Sequence, residues 1–301
     1  MIKMSLENLL TERRNSQTTN IDSMSTIQLV RAINAEDAKV ATAVGRQNEQ
    51  IAKAIDLAYS KYHTGGRLIY IGAGTSGRLG VLDAVELVPT YGISPKRAIG
   101  LIAGGKNAMF LAAEGAEDAD QLGVTDLKKI KLNSNDVVLG LAASGRTPYV
   151  IGGLDYAQKI GAGTISIACV PKSLIGKHSQ IAIEALVGPE VVTGSTRMKA
   201  GTAEKMILNM ISTGVMIKEG KVYQNIMIDV KPTNKKLIDR SKRIISDCTG
   251  LDDDEASQLL IKSKMNVPLA ILMNKMKLDF NQASKLLTDD HINISQIIEQ
   301  R

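Results

Sequence analysis

Tryptophan is absent from this 301-residue chain, and aromatic residues together make up 3% of it. So few rings exclude the stacking platforms on which single-stranded nucleic acids and planar polysaccharide surfaces are held. Histidine occurs only as His63, His178 and His291, with no pair at metal-ligand spacing, and the two cysteines, Cys169 and Cys248, are far apart. They supply neither a metal site nor a disulfide framework. Cys169, inside the apolar run "TISIACV", reads as a small buried hydrophobe, and unpaired thiols point to a reducing compartment. No apolar stretch approaches the length that spans a bilayer, and "MIKMSLENLLTERRN" lacks the apolar core of a signal peptide. The expectation is a cytoplasmic protein with no membrane partner. The net charge is +6, but the basic residues are scattered among acids, which argues against a nucleic-acid surface and suits an anionic substrate equally well.

What the chain does have is 44% hydrophobic residues, enough for a substantial core. From Ser25 to about His63 the pattern is helical, with Val40, Ala43, Val44, Ile51, Ile55 and Ala58 at three-to-four spacing. "RLIYIG" (67–72) then starts a strand–loop–helix unit. "RAIGLIAGG" (97–105) reads as a second strand, followed by a helical stretch through Ala119. "DVVLGL" (136–141), "GTISIACV" (163–170) and "QIAIEALV" (180–187) read as three more. Each is a nearly continuous apolar run, the texture of a strand buried on both faces of a parallel sheet, and alternation with helices predicts an α/β fold. After Met216 the strands are expected to stop. "KPTNKK" (231–236) reads as a turn, and 236–301 as short helices, with Asp252 to Asp254 suited to a helix N-terminus. The division expected is an N-terminal helical segment, 1–62, a ligand-binding α/β domain, 63–235, and a small helical module, 236–301, for packing or dimerisation.

Ligands of a parallel sheet bind beyond the carboxyl ends of its strands. Three polar loops fall there: "GAGTSGR" (72–78), "AASGRT" (142–147) and "TGSTR" (193–197). Backbone N–H groups and hydroxyls at a helix mouth suit phosphate oxygens. The first loop has neither the spacing of a dinucleotide fingerprint nor a Walker lysine, so nucleotide cofactors are disfavoured. The stretch "GPEVVTGSTRMKAGTAEKMILN" (188–209) sets Ser195, Thr196, Arg197 and Lys199 at the mouth of a helix, as if to meet an anion. Of these, Ser195, Thr196 and Lys199 join the expected binding set, with Glu190. Without paired histidines or a metal, carboxylates are the natural proton-transfer groups. Asp83 and Glu86 lie at i, i+3 after the first loop. Glu114 and Glu117 lie at i, i+3 in "AAEGAEDAD", on one face of a helix; a solvated acidic face is the plainer reading of that pair. Glu86 sits in the apolar context "VLDAVELVP", where burial would raise its pKa.

The three loops together resemble the sugar isomerase (SIS) domain, which binds phosphosugars. The 188–209 stretch resembles the signature shared by bacterial N-acetylmuramic acid 6-phosphate etherases and the glucokinase regulatory protein. "LLTERRN", "NID" (20–22), "NAED" (34–37), "IGAGTSGRLGVLDAVELVPTYG" and "AEGAEDAD" resemble the etherases over nearly the whole chain. The tail resembles the family's ubiquitin-associated-like module. The resemblance implies a SIS-type parallel sheet and a homodimer that uses no cofactor. Thr75 and Ser76, with Ser144, Gly145 and Thr147, would hold the 6-phosphate. Glu86 would be the acid for the departing lactyl oxygen, and Glu117 the second catalytic carboxylate, with Glu114 its nearest competitor. Val85, Leu87 and Val88 depart from the family's usual surroundings of Glu86, and "AASGRT" lacks a leading serine common in SIS loops. The implied reaction releases D-lactate and N-acetylglucosamine 6-phosphate. The rivals are another phosphosugar isomerase and a non-enzymatic phosphosugar sensor. A sensor needs no acid–base pair, and an isomerase releases no lactate.

Overall fold

In the computed structural model, residues 10–111, 113–289 and 294–299 are described. The chain enters through α1 (Thr26–Asp37), α2 (Lys39–Gly45) and α3 (Asn48–His63). Then β1 (Leu68–Gly72), α4 (Gly74–Tyr91), β2 (Ala98–Ile102), α5 (Asp120–Lys129), β3 (Val137–Leu141), α6 (Pro148–Ile160), β4 (Gly163–Ala168), β5 (Ile181–Glu184) and α7 (Lys199–Lys218) follow. The five apolar runs form one parallel sheet in the order β2-β1-β3-β4-β5, so the α/β expectation holds. Every residue of β1, β3 and β4 is buried, whereas β2 and β5, at the edges, are partly open. Continuous apolar runs fit because the inner strands have no face toward water.

Two details fix how β1 presents its carboxyl end. Gly100 faces α4 so closely that a Cβ there would lie 2.4 Å from the Val81 Cα, so only glycine lets the helix settle on the sheet. At the other end of β1, the fully buried Asp136 carboxylate accepts from the Arg67 backbone N–H, from Nε at 2.9 Å and from Nη2 at 2.6 Å. This pairing, which raises the Arg67 pKa, joins the starts of β1 and β3 and supports the register in which Leu68 opposes Val137.

Two expectations are corrected. The segment after β2 is not a helix through Ala119. Gly104, Gly105 and Gly115 take φ of 88°, 75° and 73°, which breaks it into 3₁₀ turns at Lys106–Met109 and Ala116–Asp118. Strands also do not end at Met216: β6 (Val222–Tyr223) and β7 (Ile226–Met227) pair antiparallel, with Gln224 turning at φ 53°.

By contact the chain divides into two compact units, Met1–Glu86 with Ser94–Thr213, and Leu87–Ile93 with Gly214–Arg301. The second contains β6, β7, α8 (Lys235–Thr249), α9 (Asp253–Lys262), α10 (Val267–Met276), α11 (Phe280–Asp289) and α12 (Ile294–Glu299). Its core includes Ile245, Leu260, Ile271, Leu272 and Ala283. Asp252 caps α9 and exchanges backbone bonds with Glu255, as the acidic run suggested. Among the described residues, no helix is long and apolar enough to cross a membrane.

Asp136→Ala should lower the unfolding free energy by about 3 kcal/mol, since it removes the buried carboxylate partner of Arg67 and leaves the guanidinium only the carbonyls of Ile130 and Lys131. A urea midpoint that does not move would refute the clamp.

Candidate active site

The strand order reverses between β1 and β3, and their carboxyl ends open a crevice there. On the β1 side the chain passes through Ala73 into the first turn of α4, whose leading backbone N–H groups have no partner within the helix. Thr75 is half-buried and approaches Gly201 of α7. Ser76 is buried. On the β3 side, Ser144 and Thr147 are half-buried. Gly145, at φ 69°, packs against Val170 and Ser173 in space that a Cβ would fill. Thr147 precedes Pro148 at the start of α6. The half-buried Ser195 and Thr196 lie in the turn before α7. Thr75, Ser76, Ser144 and Thr147 thus follow the carboxyl ends of β1 and β3, and the Thr196 carbonyl and the Thr75 side chain both approach Gly201.

The mouth of α7 does meet an anion, but that anion belongs to the chain. Glu190, 1% exposed, accepts from the backbone N–H groups of Lys199 (3.0 Å) and Ala200 (2.9 Å). Burial raises its pKa against the pull of those donors. Lys199, also 1% exposed, turns its ammonium to Glu36 of α1 at 2.6 Å. Burial alone would raise the Glu36 carboxyl, but Lys199 and Lys39 hold it below its ordinary value. Glu190 and Lys199, expected to touch ligand, are therefore engaged within the chain, because a buried helix end and a buried ammonium both require partners. Asn15 and Thr18 complete the knot, donating to the carbonyls of Pro189 (3.3 Å) and Val191 (2.8 Å).

The candidate carboxylates separate. Glu114 and Glu117, both exposed, line a cleft of ≈ 230 Å³ with Ala73, Gly74 and Arg78 at the mouth of α4. Arg78 donates to the Met109 carbonyl at 3.0 Å and so ties down the loop that leads to them. Glu86 lines a different groove, of ≈ 300 Å³, with Leu82, Asp83, Lys205 and Asn209. It lies twelve residues along α4 from Gly74, about 18 Å at helical rise. It is exposed, contrary to the expected burial. The buried acid of this helix is Asp83, which accepts from Asn209 (2.9 Å) and Ser212 (3.1 Å), and whose pKa burial raises. His63 and His178 belong to neither cleft, and His291 lies outside the described residues. Among the described residues, no group of three His, Cys, Asp or Glu side chains is placed to hold a metal ion.

One polar side chain at the crevice went unread in the sequence. Glu204 of α7 is fully buried, with its two carboxyl oxygens 2.8 and 2.9 Å from Ser76 Oγ. Burial raises its pKa to about 8, against the hydrogen bond from Ser76. The signal was there: Ala200, Ala203, Glu204, Ile207, Leu208 and Ile211 make one buried helical stripe, and an acid stands in it.

Comparison with known proteins follows this geometry. Residues 50–158 match the glucokinase regulatory protein N-terminal SIS domain, 122–213 the SIS domain, and 224–267 the C-terminal lid domain of glucokinase regulatory protein. The chain is 66% identical over 297 residues to the N-acetylmuramic acid 6-phosphate etherase of Lactobacillus gasseri, covering 99% of this chain and 100% of that one. It is 57% identical to the etherase of that name from Clostridium botulinum, with 97% of each chain covered. A candidate phosphosugar isomerase of Bacteroides fragilis, 21% identical, superposes with a TM-score of 0.50 over 64% of this chain and 91% of that one, a likeness of fold alone.

Glu204 makes stability depend on pH. Its carboxyl stays neutral in the folded chain to about pH 8 but ionises from its ordinary 4.5 when unfolded, so stability falls as pH rises between these values. Glu204→Gln removes that loss. Urea titrations should find the variant gaining on the parent from pH 5 to pH 8 by on the order of 2–4 kcal/mol. A pH-independent difference would show that Glu204 is charged in the folded state.

Proposed function

The chain belongs to the N-acetylmuramic acid 6-phosphate etherase family, and from that premise we propose that it acts as a carbon–oxygen lyase on N-acetylmuramic acid 6-phosphate. The observation that carries the reading is the row of hydroxyls at the carboxyl edge of the sheet with the Glu114–Glu117 cleft beside it. The first turn of α4, with Thr75, Ser76, Ser144, Thr147, Ser195 and Thr196, cradles the 6-phosphate, and Gly145 gives the second loop its turn. Glu190 and Lys199 support the third loop from behind. In this reading residues 63–235 carry the chemistry and the module 236–301 supplies none of the reacting carboxylates.

The ether is a poor leaving group, but in the ring-opened aldehyde the C2 proton is acidified by the carbonyl. Glu117 removes that proton, Glu86 protonates the lactyl oxygen, and the C3–O bond breaks to release D-lactate. Water then adds at C3 of the unsaturated aldehyde, with Glu86 as base, to give N-acetylglucosamine 6-phosphate. Two positioned carboxylates and an anchored phosphate supply what these steps require.

Within one chain, however, Glu86 and Glu117 line separate clefts. Beside Glu86, α4 exposes Leu82 and Val85, an apolar edge suited to a second copy. We therefore read the enzyme as a homodimer whose site joins Glu86 of one copy to Glu117 of the other. Glu86→Gln and Glu117→Gln should each lose most lactate release. When the two are mixed and exchanged, about one quarter of parental activity should return, since each mixed dimer keeps one intact site. No recovery after exchange would place both carboxylates in one chain.

In deuterium oxide the product should carry deuterium at C2, and heavy-oxygen water should label C3. Label in lactate would refute elimination. Glu114→Gln should keep C2 exchange, and its loss there, with Glu117→Gln unaffected, would move the base to Glu114. C2 exchange without lactate would indicate an isomerase, and binding without turnover a sensor.

A further inference from the structure

Ser76 has one hydrogen to give, and its Oγ already lies within 2.9 Å of both oxygens of Glu204. If Glu204 were a carboxylate, it could only accept. It would take the serine's hydrogen and place a negative charge behind the site of a dianion. A neutral carboxyl can instead donate, and the serine hydrogen is then available in front. Among the described residues, no Lys, Arg or His is paired with Glu204, and the hydrogen bond given to its carboxyl is that with Ser76. The Cys169 thiol, just after β4, donates to the Ala200 carbonyl at 3.7 Å, and burial first, with Glu204 and Glu190 behind it, pushes its pKa up. Glu190 is occupied with the backbone of α7, and Lys199 is bound to Glu36. Lys205, the next residue on α7, is exposed. Full burial without a cation is an environment that holds an acid neutral.

We propose that Glu204 is a positioning residue: as the neutral acid it donates to Ser76 Oγ and turns the serine hydrogen toward the phosphate of the ligand. Phosphosugar binding then requires one proton that the ligand does not carry. The inference rests on the reading of Ser76 as part of the phosphate cradle.

The test is calorimetric titration with N-acetylglucosamine 6-phosphate from about pH 7 to about pH 9.5, where the phosphate is predominantly a dianion (second pKa about 6). For the parent, Kd should be flat below about pH 8 and then rise toward tenfold per unit. Near pH 9, buffers of different ionisation enthalpy should report uptake of close to one proton per ligand. Glu204→Gln, whose amide donates but does not ionise, should flatten the alkaline limb. Glu204→Met, which removes the donor, should weaken binding about tenfold or more below about pH 8 and show no alkaline limb. Ser76→Ala should weaken binding at neutral pH by a similar factor.

The outcomes separate the two claims. If Ser76→Ala binds as tightly as the parent at every pH, the cradle reading fails. If Ser76→Ala weakens binding but Glu204→Gln keeps the alkaline limb, the cradle stands and Glu204 is not its positioning residue. A parent that takes up no proton on binding near pH 9 overturns the proposal without any variant.

Discussion

A carboxylate from outside the helix, Glu190, closes the start of α7, and much of the crevice depends on that closure. Its two oxygens fix the backbone N–H groups of Lys199 and Ala200, and so set the rotational phase of the helix at its first residues. Residues one turn on follow. Glu204, four beyond Ala200, comes to lie under Ser76, and Gly201 comes against Thr75. The same closure turns the Lys199 side chain inward, where Glu36 receives it. A buried ion pair of this kind adds little net stability compared with apolar packing. What it contributes is placement: α1, the segment around Asn15 and Thr18, and the turn before α7 are held in one arrangement that presents Ser195 and Thr196 at the sheet edge.

The sheet was legible because parallel strands buried on both faces cannot hide their composition, and the three loops were legible because each follows such a strand. The stretch expected to be helical after "RAIGLIAGG" is not one helix because Gly104 and Gly105 before it and Gly115 within it take positive φ, which no apolar spacing reports. The carboxylates were harder. "VLDAVELVP" is apolar on both sides of Glu86, yet the buried stripe of α4 runs through Gly77, Gly80, Asp83, Ala84 and Leu87. Glu86 is one position out of phase, so Asp83 is inside and Glu86 outside. Periodicity, counted residue by residue, contains that result. The partners of Glu190 and Lys199 were not legible, since 163 residues separate Lys199 from Glu36 and no local pattern reports the pair.

Three acids meet near the mouth of α7, and each escapes the penalty of burial by a different route. Glu36 is paired with cations, Glu190 bonds backbone N–H groups, and Glu204 is held neutral. These solutions depend on one another. An ammonium released from Glu36 toward Glu204 would favour the ionised acid there. Ser76 would then lose its neutral partner. Fixed cations also stand at the two carboxylate clefts, Arg78 beside Glu114 and Glu117, and Lys205 beside Glu86. In the proposed elimination, negative charge grows on the sugar as the C2 proton leaves and on the lactyl oxygen as its bond to C3 breaks. Neither change falls on the phosphate. Arg78 and Lys205 are placed beside the carboxylates where charge changes, which is where electrostatic stabilisation accelerates the reaction.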